Sequence, residues 1–265
     1  MKYSCSSVLL SSAGARDVPA MLDLAADAGY QGVMLACEQG GGFDPEAFSF
    51  RTSGAVVRHA IDRGIEIQCI GSTCLQACEP DTDGEQLRRD VCIAHALACP
   101  LVCFSAPPHP GEKQFEHGYG RFLTIVREAI ECARELDICL ALQPSAGTMA
   151  TTMDHVVNVV DDVDRPNLGV AYPPGFLSRS HGESATQAVA GSEGFLLMTQ
   201  LDGISGRDLL DGVFDAALDA LRDASFSEYV CDCGPLQPSE SRGATGALRA
   251  RVECLRAWNT TRDNA

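Results

Sequence analysis

Short, continuously apolar runs alternate with amphipathic stretches eight times along this chain, at intervals of roughly 30 residues, and this rhythm constrains the fold more than any other feature. The runs are SCSSVLL near Ser4, GVMLAC from Gly32, IEIQCI from Ile65, PLVCFS from Pro100, ICLALQ from Ile138, NLGVAY from Asn167, FLLMTQ from Phe195 and EYVCDC from Glu228. Their unbroken apolar character suits strands covered on both faces and so predicts a parallel sheet. The first strand is expected over Tyr3 to Leu10. Between the runs lie helical patterns such as DVPAMLDLAADAGY, where Asp17 and Pro19 mark a start and Gly29 a stop. LRRDVCIAHALAC from Leu87 and FLTIVREAIECARELD from Phe122 repeat that spacing. No composition break or Ser/Gly-rich linker interrupts the series. The expectation is an α/β chain with one domain over residues 1–265, a single (β/α)8 TIM barrel, with a doubly wound open sheet as the alternative.

The 265 residues, 45% hydrophobic and 21% charged, suffice for one sizeable core. A formal net charge of -16 repels nucleic-acid phosphates and anionic membrane surfaces, so neither is an expected partner. The N-terminal segment is too polar for a signal-peptide core, and no run approaches the ~20 apolar residues of a membrane-spanning helix. Thirteen cysteines are scattered through apolar stretches as small hydrophobes, which suits a reducing, cytoplasmic compartment. Cys74/Cys78 and Cys231/Cys233 lack the repeated C-x2-C spacing of structural zinc. The lysines are Lys2 and Lys113, neither in a barrel segment, which argues against Schiff-base chemistry.

Gly- and Pro-rich punctuation follows the strands in CEQGGGFDP, GSTCLQACEPDTDG, SAPPHPGEKQFEHGYG, PSAGT and YPPGFLSRSHGESA. In a barrel these loops form the C-terminal face, where chemistry is carried. The segments AADAGYQGVMLACE, LALQPSAGTM, NLGVAYPPGFL and the stretch ending MTQLDG resemble the sugar phosphate isomerase/epimerase members of the xylose isomerase-like TIM barrel family, over nearly the whole chain. The resemblance implies a divalent cation held by Glu, Asp, His and Glu at the ends of the fifth to eighth strands, polarising a sugar carbonyl while carboxylates move a proton.

Carried over position by position, most of those ligands are replaced. The fifth-strand Glu falls on Gln143 and the following His on Ser145. The sixth-strand pattern becomes Pro173, Pro174, Gly175 and Phe176. The seventh-strand His falls on Thr199 or Gln200, and the eighth-strand Glu on Asp232 or Cys231, with Asp232 the one ligand retained in kind. Gln143, Gln200 and Asp232 would offer one charge where the family offers three, so no cofactor is expected, a divalent cation such as Mn or Mg being the alternative.

The remaining polar inventory of the mouth comprises Glu38, Ser72, Thr73, Ser105, His109, Gln143, Ser145, Tyr172, Gln200, Arg207 and Asp232. Glu38 could act as a base or sit solvated in its loop. His109 and His117 flank a loop of the kind that closes over substrates, whereas His59, His95 and His155 fall in helices. Arg207 lies where this fold places anion sites, or pairs with Asp208 or Asp211. Catalytic roles are assigned to Glu38, Gln143, Asp232 and His109, and substrate contacts to Ser105, Ser145, Tyr172, Gln200 and Arg207. Two function classes stand. One is a divergent isomerase- or epimerase-like protein acting on or binding a carbohydrate or other polyhydroxylated small molecule without the family's metal. The other is an inactive barrel serving as a binding or scaffold protein, within a homo-oligomer or alone. A DNA-repair endonuclease is disfavoured by the acidic charge and six histidines.

Overall fold

The computed structural model describes residues 1–37, 43–72, 75, 80–203, 208–210, 212–236, 240 and 243–261. Eight parallel strands close into a barrel in chain order: β1 (Lys2–Ser6), β2 (Gly32–Ala36), β3 (Glu66–Gly71), β4 (Leu101–Ser105), β5 (Cys139–Gln143), β6 (Leu168–Tyr172), β7 (Leu196–Leu201) and β8 (Tyr229–Asp232). Pairing of Cys5 with Asp232 and of Tyr3 with Val230 joins β8 back to β1 and excludes the open sheet. Outside lie α1 (Ser7–Ser12), α2 (Val18–Ala28), α3 (Phe50–Arg63), α4 (Glu85–Ala96), α5 (Phe115–Glu135), α6 (Met153–Val163), α7 (Pro174–His181), α8 (Ala185–Gly191), α9 (Asp215–Asp223) and α10 (Ala244–Thr261).

The helix starts follow local chemistry. Asp17 accepts from the Ala20 amide at 2.8 Å and satisfies an otherwise orphaned donor, while Gly29 at φ 97° ends α2 in a left-handed turn that side chains disfavour. The first strand is shorter than expected. It stops at Ser6, whose Oγ accepts from Leu9 N at 3.2 Å and starts α1, so Val8 to Leu10 are helical. Ser7 then accepts from the Ala36 amide at 2.9 Å and ties this helix to β2. The fifth helix begins earlier than read from sequence, at Phe115, which places His117 in its first turn.

Strand residues alternate between two cores, as the period of two requires. Met34, Cys69, Leu101, Cys103, Ala141, Ala171, Met198 and Cys231 fill the barrel interior. Their neighbours Leu35, Ile70, Val102, Phe104, Leu142, Val170, Tyr172 and Val230 face the helices. Apart from Leu101, these interior side chains are small or sulfur-bearing, in a space where eight strands leave little room. Close packing also fixes Gly169, where a Cβ would meet Phe195 O at 2.3 Å. No helix among the described residues is long and apolar enough to cross a membrane.

Candidate active site

Interior parity decides which residues reach the mouth. Strand β5 presents Ala141 and then Gln143 to the inside, β4 presents Cys103 and then Ser105, and β7 presents Met198 and then Gln200. Ser105 and Gln143 are Cα partners in the β4–β5 ladder, which sets them side by side on one face. Gln200 reaches them from β7, two strands beyond Gln143 and three beyond Ser105. Its Nε2 donates to Gln143 Oε1 at 2.8 Å and approaches Cys103 Sγ at 3.1 Å, while Gln143 Nε2 donates to Ser105 Oγ at 3.0 Å. The Cys103 thiol adds a 3.4 Å contact to Gln143 Oε1. The result is a directed chain from Gln200 through Gln143 to Ser105.

This chain forms the floor of a cavity of about 420 Å³ lined by Ser6, Met34, Cys37, Ser72, Cys103, Ser105, Gln143, Ser145, Gln200 and Cys233, among others. Amides, hydroxyls and thiols supply its polarity among the described residues. Ser145 is positioned by a tight turn in which its N–H donates to Ala150 O at 3.0 Å. Burial is the main cause holding the Cys103 thiol up at about 12, with the Gln200 contact pulling the other way, so it stays protonated.

Four of the expected site residues are therefore brought together: Ser105, Gln143, Ser145 and Gln200. Of the two seventh-strand candidates, Gln200 lines the cavity, whereas Thr199 is fully buried. Glu38, Thr73 and Arg207 lie outside the described residues.

Three expectations are corrected. Asp232 faces outward: Cys231 belongs to the barrel interior, so its neighbour points into the helical layer. There Asp232 Oδ2 accepts from Arg251 Nε at 2.7 Å and from Tyr30 Oη at 2.9 Å, and Oδ1 pairs with Arg251 Nη2. Asp232 and Arg251 side chains are 1% and 2% exposed, a buried bidentate pair linking β8 to α10. Tyr172 is likewise outward, since Ala171 takes the interior position, and it lines a separate cavity of about 490 Å³ with Arg179 and Glu183. His109 is exposed, accepts from Gly111 N at 3.0 Å and stacks on Phe115 at 5.2 Å between centroids. It lines a third cavity, of about 500 Å³, with Tyr119 and His155. A larger cavity of about 640 Å³ between α2 and α3 is lined by no strand residue.

One residue absent from the sequence-based inventory adjoins the mouth. Asp90 on α4 accepts from Ser72 Oγ at 2.5 Å and is 1% exposed. Its signal was available: Leu87, Asp90, Val91 and Ala94 share one helical face, and a carboxylate there is buried with the apolar residues around it.

A divalent cation of the kind the resemblance implies needs anionic oxygens or imidazoles. The described residues do not fit it. Gln200 points an N–H at Gln143, Gln143 spends its own N–H on Ser105, and both oxygens of Asp232 are engaged outside the barrel. No group of three or more His, Cys, Asp or Glu among the described residues is placed to hold a metal.

With this geometry in hand, the comparisons place the chain. The model of the xylose isomerase-like TIM barrel family matches residues 22–257, and the chain belongs to that family. Among solved structures, it is similar to a D-psicose 3-epimerase from Clostridium cellulolyticum H10, determined with D-tagatose, at a TM-score of 0.81 and 13% identity, covering 97% of this chain and 98% of that one. A D-allulose 3-epimerase from Methylomonas sp., in complex with D-allulose, aligns at a TM-score of 0.77 and 15% identity over 97% and 96%. A 3-keto-D-glucoside 4-epimerase from E. coli aligns at 0.78 and 11% over 97% and 99%. These likenesses concern the fold. No curated protein matches the chain by sequence.

Proposed function

We propose that the cavity at the strand ends binds and acts on a neutral, polyhydroxylated small molecule, a ketose-like sugar, as a divergent isomerase- or epimerase-like enzyme working without the family's divalent cation. The observation that carries this reading is the directed Gln200–Gln143–Ser105 chain, which fixes amide and hydroxyl dipoles at the cavity floor. Polar groups held in this way at a half-buried floor favour ligands offering matching hydroxyl and carbonyl groups, because an unmatched partner leaves them unpaired. Ser105, Ser145, Gln143 and Gln200, all of which line the cavity, contact the ligand. Family membership and the sugar epimerases among the structural neighbours support the ligand class. The eleven free cysteines among the described residues support a reducing, cytoplasmic setting.

A second reading, binding without chemistry, is favoured by one observation: among the described cavity-lining residues there is no Asp, Glu or His to move a proton. Titrating the protein with D-allulose, D-tagatose and D-fructose by calorimetry, followed by chromatography of each sugar after prolonged incubation, tests both readings. Saturable binding with interconversion supports the enzyme. Binding with every sugar recovered unchanged supports the second reading. No binding to any of the three overturns the proposal.

A further inference from the structure

Ser72 follows β3 directly, anchored by its N–H to Cys103 O at 2.7 Å, and lines the cavity. Behind it, Asp90 accepts the Ser72 hydroxyl at 2.5 Å. A carboxylate withdrawn from the cavity is thus connected to it by one hydroxyl. The groups facing Asp90 are Arg89 on its own helix, Glu46 from the turn before α3, the Cys37 thiol after β2 and Ser72. Arg89 is engaged by Glu46 and by Pro45 O. Burial is the largest influence on Asp90 and lifts its carboxyl to about 6, opposed by the Ser72 hydrogen bond and Arg89, so it can hold or release a proton near neutrality.

Resting on the reading of this cavity as a sugar site, we propose that Ser72 and Asp90 form a proton relay that opens the ring of a cavity-bound cyclic ketose. The O–H bond of the anomeric hydroxyl breaks and its proton joins Ser72 Oγ, while the Ser72 proton passes to Asp90 Oδ2. The electron pair left on the anomeric oxygen forms the carbonyl as the bond from the anomeric carbon to the ring oxygen breaks, and that bond's pair leaves with the ring oxygen. The ring oxygen takes a proton from water, and the hydroxide left behind is neutralised by the proton that Asp90 returns through Ser72. Nothing is oxidised or reduced. Ring opening must precede any proton exchange beside the ketose carbonyl, so the relay supplies a step the rest of the described cavity lacks.

The test follows exchange between the cyclic forms of ¹³C-labelled D-allulose by NMR, alongside its affinity by calorimetry. Wild-type protein is expected to accelerate exchange, increasingly as the pH rises through about 6. At saturating D-allulose, Asp90→Asn and Ser72→Ala should each lose at least about tenfold of that acceleration, and Asp90→Glu should recover part of it. A purely structural role for Asp90 would not move the pH profile. If D-allulose binds but the wild type does not accelerate exchange, or either variant saturated with D-allulose exchanges it as fast as wild type, the relay is overturned while the sugar site stands. If D-allulose does not bind, the sugar site is overturned and the relay with it. Should Asp90→Asn fail to fold, Ser72→Ala and the wild-type pH profile still decide.

Discussion

Gln143 Oε1 accepts a 2.8 Å hydrogen bond from Gln200 Nε2 across the barrel mouth, so two of the strand ends where the family resemblance places metal ligands are joined to each other by an amide–amide contact. That contact is self-sufficient. Restoring one carboxylate should therefore not restore the site: Gln143→Glu leaves the β6 position as Pro173, the β7 position as Gln200 and Asp232 held by Arg251. Calorimetric titration of this variant with Mn²⁺ should show no tight stoichiometric binding. One tightly held ion per chain would contradict this account of the mouth.

Asp232 holds the fold together from outside the barrel. Arg251→Met leaves the 1%-exposed carboxylate without its cation and should cost about 3–5 kcal/mol in urea unfolding, because a buried charge loses its compensation. Asp232→Asn should be similarly damaging. Under conditions where the variants remain folded, sugar affinity should stay within about twofold of wild type; a large affinity loss with little change in stability would place Asp232 back in the site.

The strands were legible because both-face burial leaves continuous apolar runs, and the register of Gln143 followed from a motif anchored by its neighbours. Side-chain direction was less legible. In Cys231–Asp232–Cys233 the hydropathy gives no preferred parity, and the deciding partner, Arg251, lies 19 residues away on the last helix. Tyr172 fails for the same reason: a one-residue change in parity exchanges the inside of a barrel for its outside. The end of β1 was hidden because Ser6 caps a helix whose apolar residues read as more strand. Asp90 was overlooked because a lone Asp in an amphipathic pattern reads as solvated unless its position on the face is counted.

Asp90 gives the pH dependence of stability a definite sign. Its carboxyl sits at about 6 in the folded chain against an ordinary 3.8, so the folded state binds this proton more tightly than the unfolded one. Asp90 then costs nothing below about pH 4 and progressively more up to about pH 6, reaching at most about 3 kcal/mol. The stability of Asp90→Asn relative to wild type should rise over that window and level off above it. Urea unfolding of both proteins at several pH values checks this, and a difference independent of pH would refute it.

Thiol reactivity should separate surface from cavity floor. Cys92 is exposed, whereas Cys103 is buried and its thiol is held up at about 12. Under native conditions at about pH 8, iodoacetamide should modify Cys92 well before Cys103, read by peptide mass spectrometry. Early modification of Cys103 would mean that its thiol is more open and more acidic than this packing allows.

The most direct test of the metal-free sugar site is the affinity of chelator-stripped protein for D-allulose, measured with and without added Mn²⁺. The account predicts equal affinity in both, and a loss of about tenfold, near 1.4 kcal/mol, in Gln143→Leu, which removes the amide linking Gln200 to Ser105. Binding that appears only when Mn²⁺ is added, or that survives Gln143→Leu undiminished, would contradict it.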